Sequence, residues 1–155
     1  MRRPEARMES ESKPRCEFES GKLLLQLDFV VPGDVNAISP VVQGVMHIAK
    51  QMECAQGKDF EIEMAVREAL ANAIVHGCKN DPGKTVQVCV ACDVARGMLI
   101  VVRDPGHGFD PASVPSPTMG QNVFSEHGRG IYLINELMDE VHFERGGTEI
   151  HMVKR

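Results

Sequence analysis

The sequence contains no run of eighteen consecutive apolar residues, the length from which a membrane-spanning helix is read. Its first residues, Met1-Arg2-Arg3-Pro4-Glu5, carry no apolar stretch of the kind that marks a secretory signal. Neither membrane insertion nor export is expected, and the expected location is the cytoplasm. An excess of positive charge is missing as well: Lys and Arg total 17 against 22 Asp and Glu, a formal charge of -5 at pH 7. Binding a phosphodiester backbone relies on clustered cations, so nucleic acid is not an expected partner. Regular cysteine spacing is also absent. Cys16, Cys54, Cys78, Cys89 and Cys92 are odd in number, in a chain of 155 residues long enough to build a core without covalent staples. They read as reduced thiols. Cys89 and Cys92 do form a C-x-x-C, but in a strand residues three apart point to opposite faces, which argues against a shared metal ion or a mutual disulfide.

What is present fits one domain. Residues 1 to 20 hold five basic and five acidic groups and few large apolar side chains, the composition of a solvated, poorly ordered tail. Their charges cancel, so the net -5 belongs to residues 21 to 155, the expected folded domain. Leu23, Leu25, Leu27 and Phe29 alternate with Leu24, Gln26 and Asp28 as in a strand, and Pro32-Gly33 stops it. Val41, Val45, Ile48, Ala49 and Met52 follow helical spacing from about Asp34 to Glu53, with Gln56-Gly57 expected to close the helix. Asp59 is the expected N-cap of a second helix that ends at Gly77. Val86, Val88, Val90 and Cys92 alternate in a strand, and Met98 to Val102 is apolar enough for a central one. Residues 104 to 127 form a long loop rich in Gly and Pro. Gly130 to about Met138 then reads as a helix, followed by a hairpin across Gly146-Gly147. Hairpin-joined strands with helices that do not alternate one to one predict an α+β two-layer sandwich, its mixed, mostly antiparallel sheet covered by helices on one face.

Three groups of residues could carry chemistry. In the second helix, Glu68, Asn72 and His76 recur at i, i+4 and i+8 among apolar neighbours, which makes one polar stripe on a helix otherwise built for burial. Such a stripe either faces water or offers a carboxylate and a carboxamide to a hydrated cation and its anion. Next, Asp104-Pro105-Gly106-His107-Gly108-Phe109 follows the most apolar strand. Glycines there let the backbone approach a flat ligand while the carboxylate accepts from an amino group, although Asp-Pro-Gly is also ordinary turn chemistry. Last, Gly128-Arg129-Gly130 opens a helix, where free N–H groups and the helix dipole suit a phosphate. Gly83-Lys84-Thr85 is a decoy: Cys78 occupies the first glycine position of a P-loop, and a strand follows where a helix is required. Gly106-His107-Gly108 fails as a dinucleotide fingerprint because Pro111 stands at the third glycine.

Taken in order, Glu68-x-x-x-Asn72-Ala73-Ile74-x-His76-Gly77, Asp104-x-Gly106-x-Gly108-Phe109, Gly128-x-Gly130 and Gly147-Thr148 resemble the motifs of the Bergerat-fold (GHKL) ATPases. The resemblance covers about residues 20 to 155 and is closest to the stand-alone anti-sigma-factor serine/threonine kinases of bacterial partner switching. It implies ATP and Mg²⁺ as ligands, with Asn72 giving its side-chain oxygen to Mg²⁺ and Glu68 acting as general base toward a serine hydroxyl. It implies that Asp104 accepts from the adenine amino group, with His76 and Phe109 lining the site and Gly106 and Gly108 letting the backbone approach the base. By the same likeness Gly128 and Gly130 present N–H groups to the phosphates, Arg129 adds charge there, Thr148 sits near adenine, and residues 111 to 127 form a lid. The partners implied are a sigma factor and an anti-anti-sigma protein. A homodimer is expected from the family and from apolar Leu24 and Val30 on the second face of the first strand. The acidic Glu126 beside the phosphate loop favours an alternative, an ATP-binding regulatory module without phosphoryl transfer.

Overall fold

The computed structural model describes residues 23–93, 95–108 and 126–155. The expected tail over 1–20, Phe109, and the expected lid up to residue 125 lie outside the described residues. Period-2 segments become five strands, β1 (Leu23–Pro32), β2 (Thr85–Asp93), β3 (Gly97–Arg103), β4 (Glu140–Glu144) and β5 (Glu149–Lys154). They form one sheet in the order β1-β2-β3-β5-β4, with every neighbouring pair antiparallel. Helices α1 (Ile38–Met52), α2 (Asp59–Asn72) and α3 (Glu126–Leu137) complete the expected α+β sandwich. None of the described helices is long and apolar enough to cross a membrane.

The strand alternation explains the layering. Val86, Val88, Val90 and Cys92 of β2, with Met98, Ile100 and Val102 of β3, join Val42, Val45 and Ala49 of α1 and Ile62, Val66 and Leu70 of α2 in one core. The intervening Cys89, Ala91, Leu99 and Val101 form a second apolar cluster with Val153 on the opposite face. The central strands are therefore apolar on both faces, which is why β3 reads as a continuous hydrophobic run. The β2–β3 turn is set by Asp93, whose Oδ1 accepts from the N–H groups of Ala95 (2.8 Å) and Arg96 (3.0 Å). Gly97 completes it at φ +94, where a Cβ would also overlap the Lys154 carbonyl.

Several local expectations need correction. The first helical segment divides into a 3-10 turn, Val35–Ala37, capped by Asp34, and α1 proper with Pro40 in its first turn. It stops at Glu53, held left-handed at φ 56, before Gln56-Gly57 is reached. Asp59 begins α2 rather than capping it, and with Glu61 it places negative charge at the helix N-terminus. Cys54 and Cys92 are not reduced thiols. They are disulfide-bonded with Cα atoms 6.1 Å apart, because the segment leaving α1 packs beside the end of β2, a proximity that 38 residues of sequence separation conceal. Cys89 and Cys92 do take opposite faces, Cys89 too is disulfide-bonded and not a reduced thiol, and Cys78 is a buried free thiol.

The largest correction concerns α3. Its expected start at Gly130 moves back to Glu126, so Gly128 and Gly130 lie inside the helix and not in a preceding loop. At its far end Lys154 Nζ donates to the Leu137 carbonyl at 2.6 Å and occupies one of the terminal acceptors a helix leaves open.

Candidate functional site

Helix α2 buries Ile62, Ala65, Val66, Ala69 and Leu70, which leaves Glu68 and Asn72 half-buried along its other side. Beyond Asn72 the backbone widens into a π-turn, Ala73–Gly77, closed by Cys78 N–H donating to the Ala73 carbonyl at 2.9 Å. Single π-turns of this kind concentrate at functional sites because they re-aim the residues that follow. Here the turn leaves His76 exposed and lays Gly77 against the end of β3. A Cβ on Gly77 would stand 2.5 Å from Asp104 Oδ1. Gly77 is thus required by proximity and not by an unusual φ. Read from sequence both as a helix stop and as the last residue of the Asn72-Ala73-Ile74-x-His76-Gly77 motif, it owes its small size to the packing against Asp104.

Asp104 continues the β3–β5 ladder by one bond, its N–H donating to the Thr148 carbonyl at 2.9 Å. Its Oδ1 accepts from the Gly106 N–H at 2.7 Å, and among the described residues its other oxygen has no hydrogen-bond partner. Burial pushes the Asp104 carboxyl above the usual aspartate value, against the opposing pull of the Gly106 N–H and of nearby His76. Gly106 lies close enough to the helix end that a Cβ would be 2.9 Å from the Gly77 Cα. Gly108, at φ +79, meets the β4–β5 turn, where a Cβ would overlap the Gly146 carbonyl. That turn carries Gly146 (φ 68) and Gly147 (φ 93), and Thr148 Oγ1 donates back to the Arg145 carbonyl at 2.8 Å. Contacts that only glycine permits therefore draw three separate turns together.

Between them opens a cleft of about 530 Å³ including its mouth. Ala69, Ala73, Val102, Ile134, Phe143 and Ile150 give it apolar walls, while Asn72, His76, Asp104 and Thr148 supply its polar groups. A narrow apolar slot with a carboxylate on its wall suits a flat aromatic ligand that carries an amino group. At its edge α3 closes on α2: a Cβ on Gly130 would be 2.7 Å from Glu68 Oε1 and 3.3 Å from Asn72 Nδ2. Gly130 is the fifth residue of α3, so its N–H belongs to the intrahelical ladder and its role is close packing. The N–H groups left over for an anion are those of the first turn, which includes Gly128, with Arg129 exposed beside it.

Of the residues singled out from sequence, Asn72, His76, Asp104, Gly108 and Thr148 line one cleft, Glu68 and Gly130 meet at its edge, and Gly106 lies under Gly77. The pattern of the histidine kinase-like ATPase domain matches residues 31–154. The chain is 37% identical over 115 residues to the serine-protein kinase RsbW of Bacillus licheniformis, covering 69% of this chain and 71% of that one. It is 29% identical over 138 residues to the serine-protein kinase RsbW of Bacillus subtilis, covering 83% and 84% respectively. With the anti-sigma F factor of Bacillus cytotoxicus it shares 34% identity over 100 residues, 61% of this chain and 67% of that one.

Proposed function

The chain belongs to the histidine kinase-like ATPase domain family, and from that premise we propose that it is an ATP-dependent protein-serine kinase of the anti-sigma type. It holds a sigma factor and phosphorylates an anti-anti-sigma antagonist. The observation that carries this reading is the pair Glu68 and Asn72, one turn apart on α2 under Gly130, at the edge of a slot that contains the Asp104 carboxylate.

The adenine ring occupies the apolar slot, and Asp104 accepts from its amino group with the oxygen that Gly106 leaves open. Guanine is rejected because it would turn a carbonyl toward that carboxylate. The donor set fits Mg²⁺, since Asn72 offers a carboxamide oxygen and Glu68 a carboxylate one turn apart on α2 beside Gly130. Asn72 holds that ion, and when bound it offsets phosphate charge. The first turn of α3 supplies N–H groups to the phosphates, and Arg129 adds positive charge there. The Glu68 carboxylate takes the proton from the substrate serine as its oxygen bonds to the γ-phosphorus and the bond to the β-phosphate oxygen breaks, which releases ADP.

Incubation with γ-labelled ATP and a serine-bearing antagonist tests the reading by phosphoserine formation. Tight ATP binding with no transfer to any such antagonist would instead identify a regulatory module that docks partners without chemistry. A homodimer belongs to the same reading, because Val30 is an apolar side chain 62% exposed on β1 and offers surface to a second copy. Sedimentation that gives a monomer at high micromolar concentration removes that part alone.

A further inference from the structure

The β4–β5 hairpin carries a second cluster of reactive side chains, on the sheet face away from the helices. Register sets His142 directly opposite His151 and Glu144 directly opposite Glu149. Strand alternation turns all four to one face, while Val141, Phe143, Ile150 and Met152 join the core on the other. The two imidazoles stack with centroids 4.6 Å apart and planes 14° from parallel. Both Nε2 atoms face one carboxylate oxygen, Glu144 Oε2 lying 3.2 Å from His142 and 3.9 Å from His151. Nearly parallel rings cannot aim both lone pairs at one ion, so the exposed His142 ring must turn out of the stack for an ion to bind. One donor atom from each of these three residues falls within 4.8 Å of the others.

The contacts of 3.2 Å and 2.7 Å are hydrogen bonds in the metal-free hairpin, and they hold the donor atoms within reach of one ion. Tetrahedral zinc with ligands at about 2.0–2.1 Å sets neighbouring donor atoms about 3.3 Å apart, which 3.2 Å and 3.9 Å bracket. Glu149 Oε2 lies 2.7 Å from the same Nε2 of His151, so an ion at that nitrogen takes the place of the shared proton, and Arg103 Nε holds the other oxygen of Glu149 at 2.7 Å. Glu149 is 2% exposed, so this carboxylate and the ring beside it are fixed before any ion arrives. Entry remains open on the other side, where the His142 and Glu144 side chains are 60% and 50% exposed.

We propose that this face of the hairpin binds one borderline divalent transition cation, Zn²⁺ in particular, through His142, Glu144 and His151. Two imidazoles with a carboxylate select zinc and its neighbours in the first transition row and discriminate against Mg²⁺ and Ca²⁺, which take oxygen ligands. The site lies on the opposite face of the sheet from the nucleotide cleft and does not depend on the reading of that cleft.

Calorimetric titration of the full chain with ZnCl₂, after dialysis against EDTA and then without it, tests the proposal in the absence of nucleotide. One Zn²⁺ per chain, bound tighter than about 10 μM, is expected. His142→Ala and Glu144→Gln alter exposed side chains, so both fold normally by circular dichroism and each lowers zinc affinity by about 10–100-fold. Wild-type binding weaker than about 100 μM overturns the proposal. So does tight binding that both variants retain, because the zinc is then held elsewhere.

Discussion

Substituting Gly77 by alanine probes the proposed seat of the adenine ring through a residue that has no side chain of its own. The new Cβ would lie 2.5 Å from Asp104 Oδ1. The Asp104 backbone cannot retreat, because its N–H is tied to the Thr148 carbonyl at 2.9 Å. The carboxyl must therefore swing and release the Gly106 N–H that it accepts at 2.7 Å. Overpacking of this kind costs about 1–3 kcal/mol, and a lost hydrogen bond to a charged group about 1.5–3 kcal/mol. The two overlap, so a net loss of about 2–4 kcal/mol follows, or roughly 5–15 °C in Tm for a chain of this size. On the proposed reading, in which Asp104 accepts from the adenine amino group, displacing its carboxylate should weaken ATP by about 10–100-fold. Calorimetric titration with ATP and Mg²⁺, together with thermal melts, reads both quantities. Two comparators separate the causes. Asp104→Asn keeps the shape and should weaken ATP while leaving the melt unchanged or raised, since burial disfavours the charge it removes. Gly44→Ala, in the interior of α1 with nothing within 4 Å, should leave ATP binding intact and stabilise by about 0.5–1 kcal/mol. A Gly77→Ala protein that binds ATP within about twofold of wild type and melts at the same temperature refutes the reasoning.

Glu68→Gln should abolish phosphoserine formation by radiolabel transfer while leaving the ATP dissociation constant nearly unchanged, because it removes a proton acceptor but little shape. Gly130→Ala places a Cβ 2.7 Å from Glu68 Oε1, and with Glu68 as the proposed base, single-turnover assays should show transfer slowed about tenfold or more by its displacement. Only the ionised form of Asp104 accepts two ways, and its pKa lies above the usual value of about 3.9. ATP affinity should accordingly be full at neutral pH and fall on acidification sooner than for an ordinary aspartate, a dependence that titrations of Asp104→Asn should lack. Burial alone would raise the Glu149 carboxyl, but hydrogen bonds from His151 and Arg103 outweigh it and hold the group below its usual range. Its stabilising contribution is therefore present above about pH 4.3 and lost as pH falls through the lower folded value, so Glu149→Gln should flatten the acid limb of a Tm-against-pH curve.

The elements legible in the sequence are those whose pattern is local. Alternation over Val86 to Cys92 announced β2 and even the opposite facing of Cys89 and Cys92, because strand period is a property of the backbone alone. The Glu68, Asn72 and His76 stripe was visible for the same reason, yet the π-turn beneath His76 was not, since it accompanies the packing of Gly77 on Asp104, 27 positions away in the chain. Glycines misled most where packing overrode propensity. Gly128 and Gly130 weaken a helix intrinsically and so read as loop, but α3 runs through both, and at Gly130 the missing side chain makes room for Glu68 and Asn72. The cysteine pair and the hairpin cluster failed to show for a further reason. Cys54 and Cys92 become neighbours only once the segment leaving α1 packs beside β2, and His142-x-Glu144 and Glu149-x-His151 only once strand register is known, both of which depend on the whole fold. The nucleotide cleft falls between these cases. Each of its glycines is individually unremarkable, but Gly77 with Gly106, and Gly108 with Gly146, are pairs in which one residue lacks a side chain because the other's backbone occupies its place. Their joint occurrence in one chain is hence a stronger sign of convergence on a common ligand than any single motif.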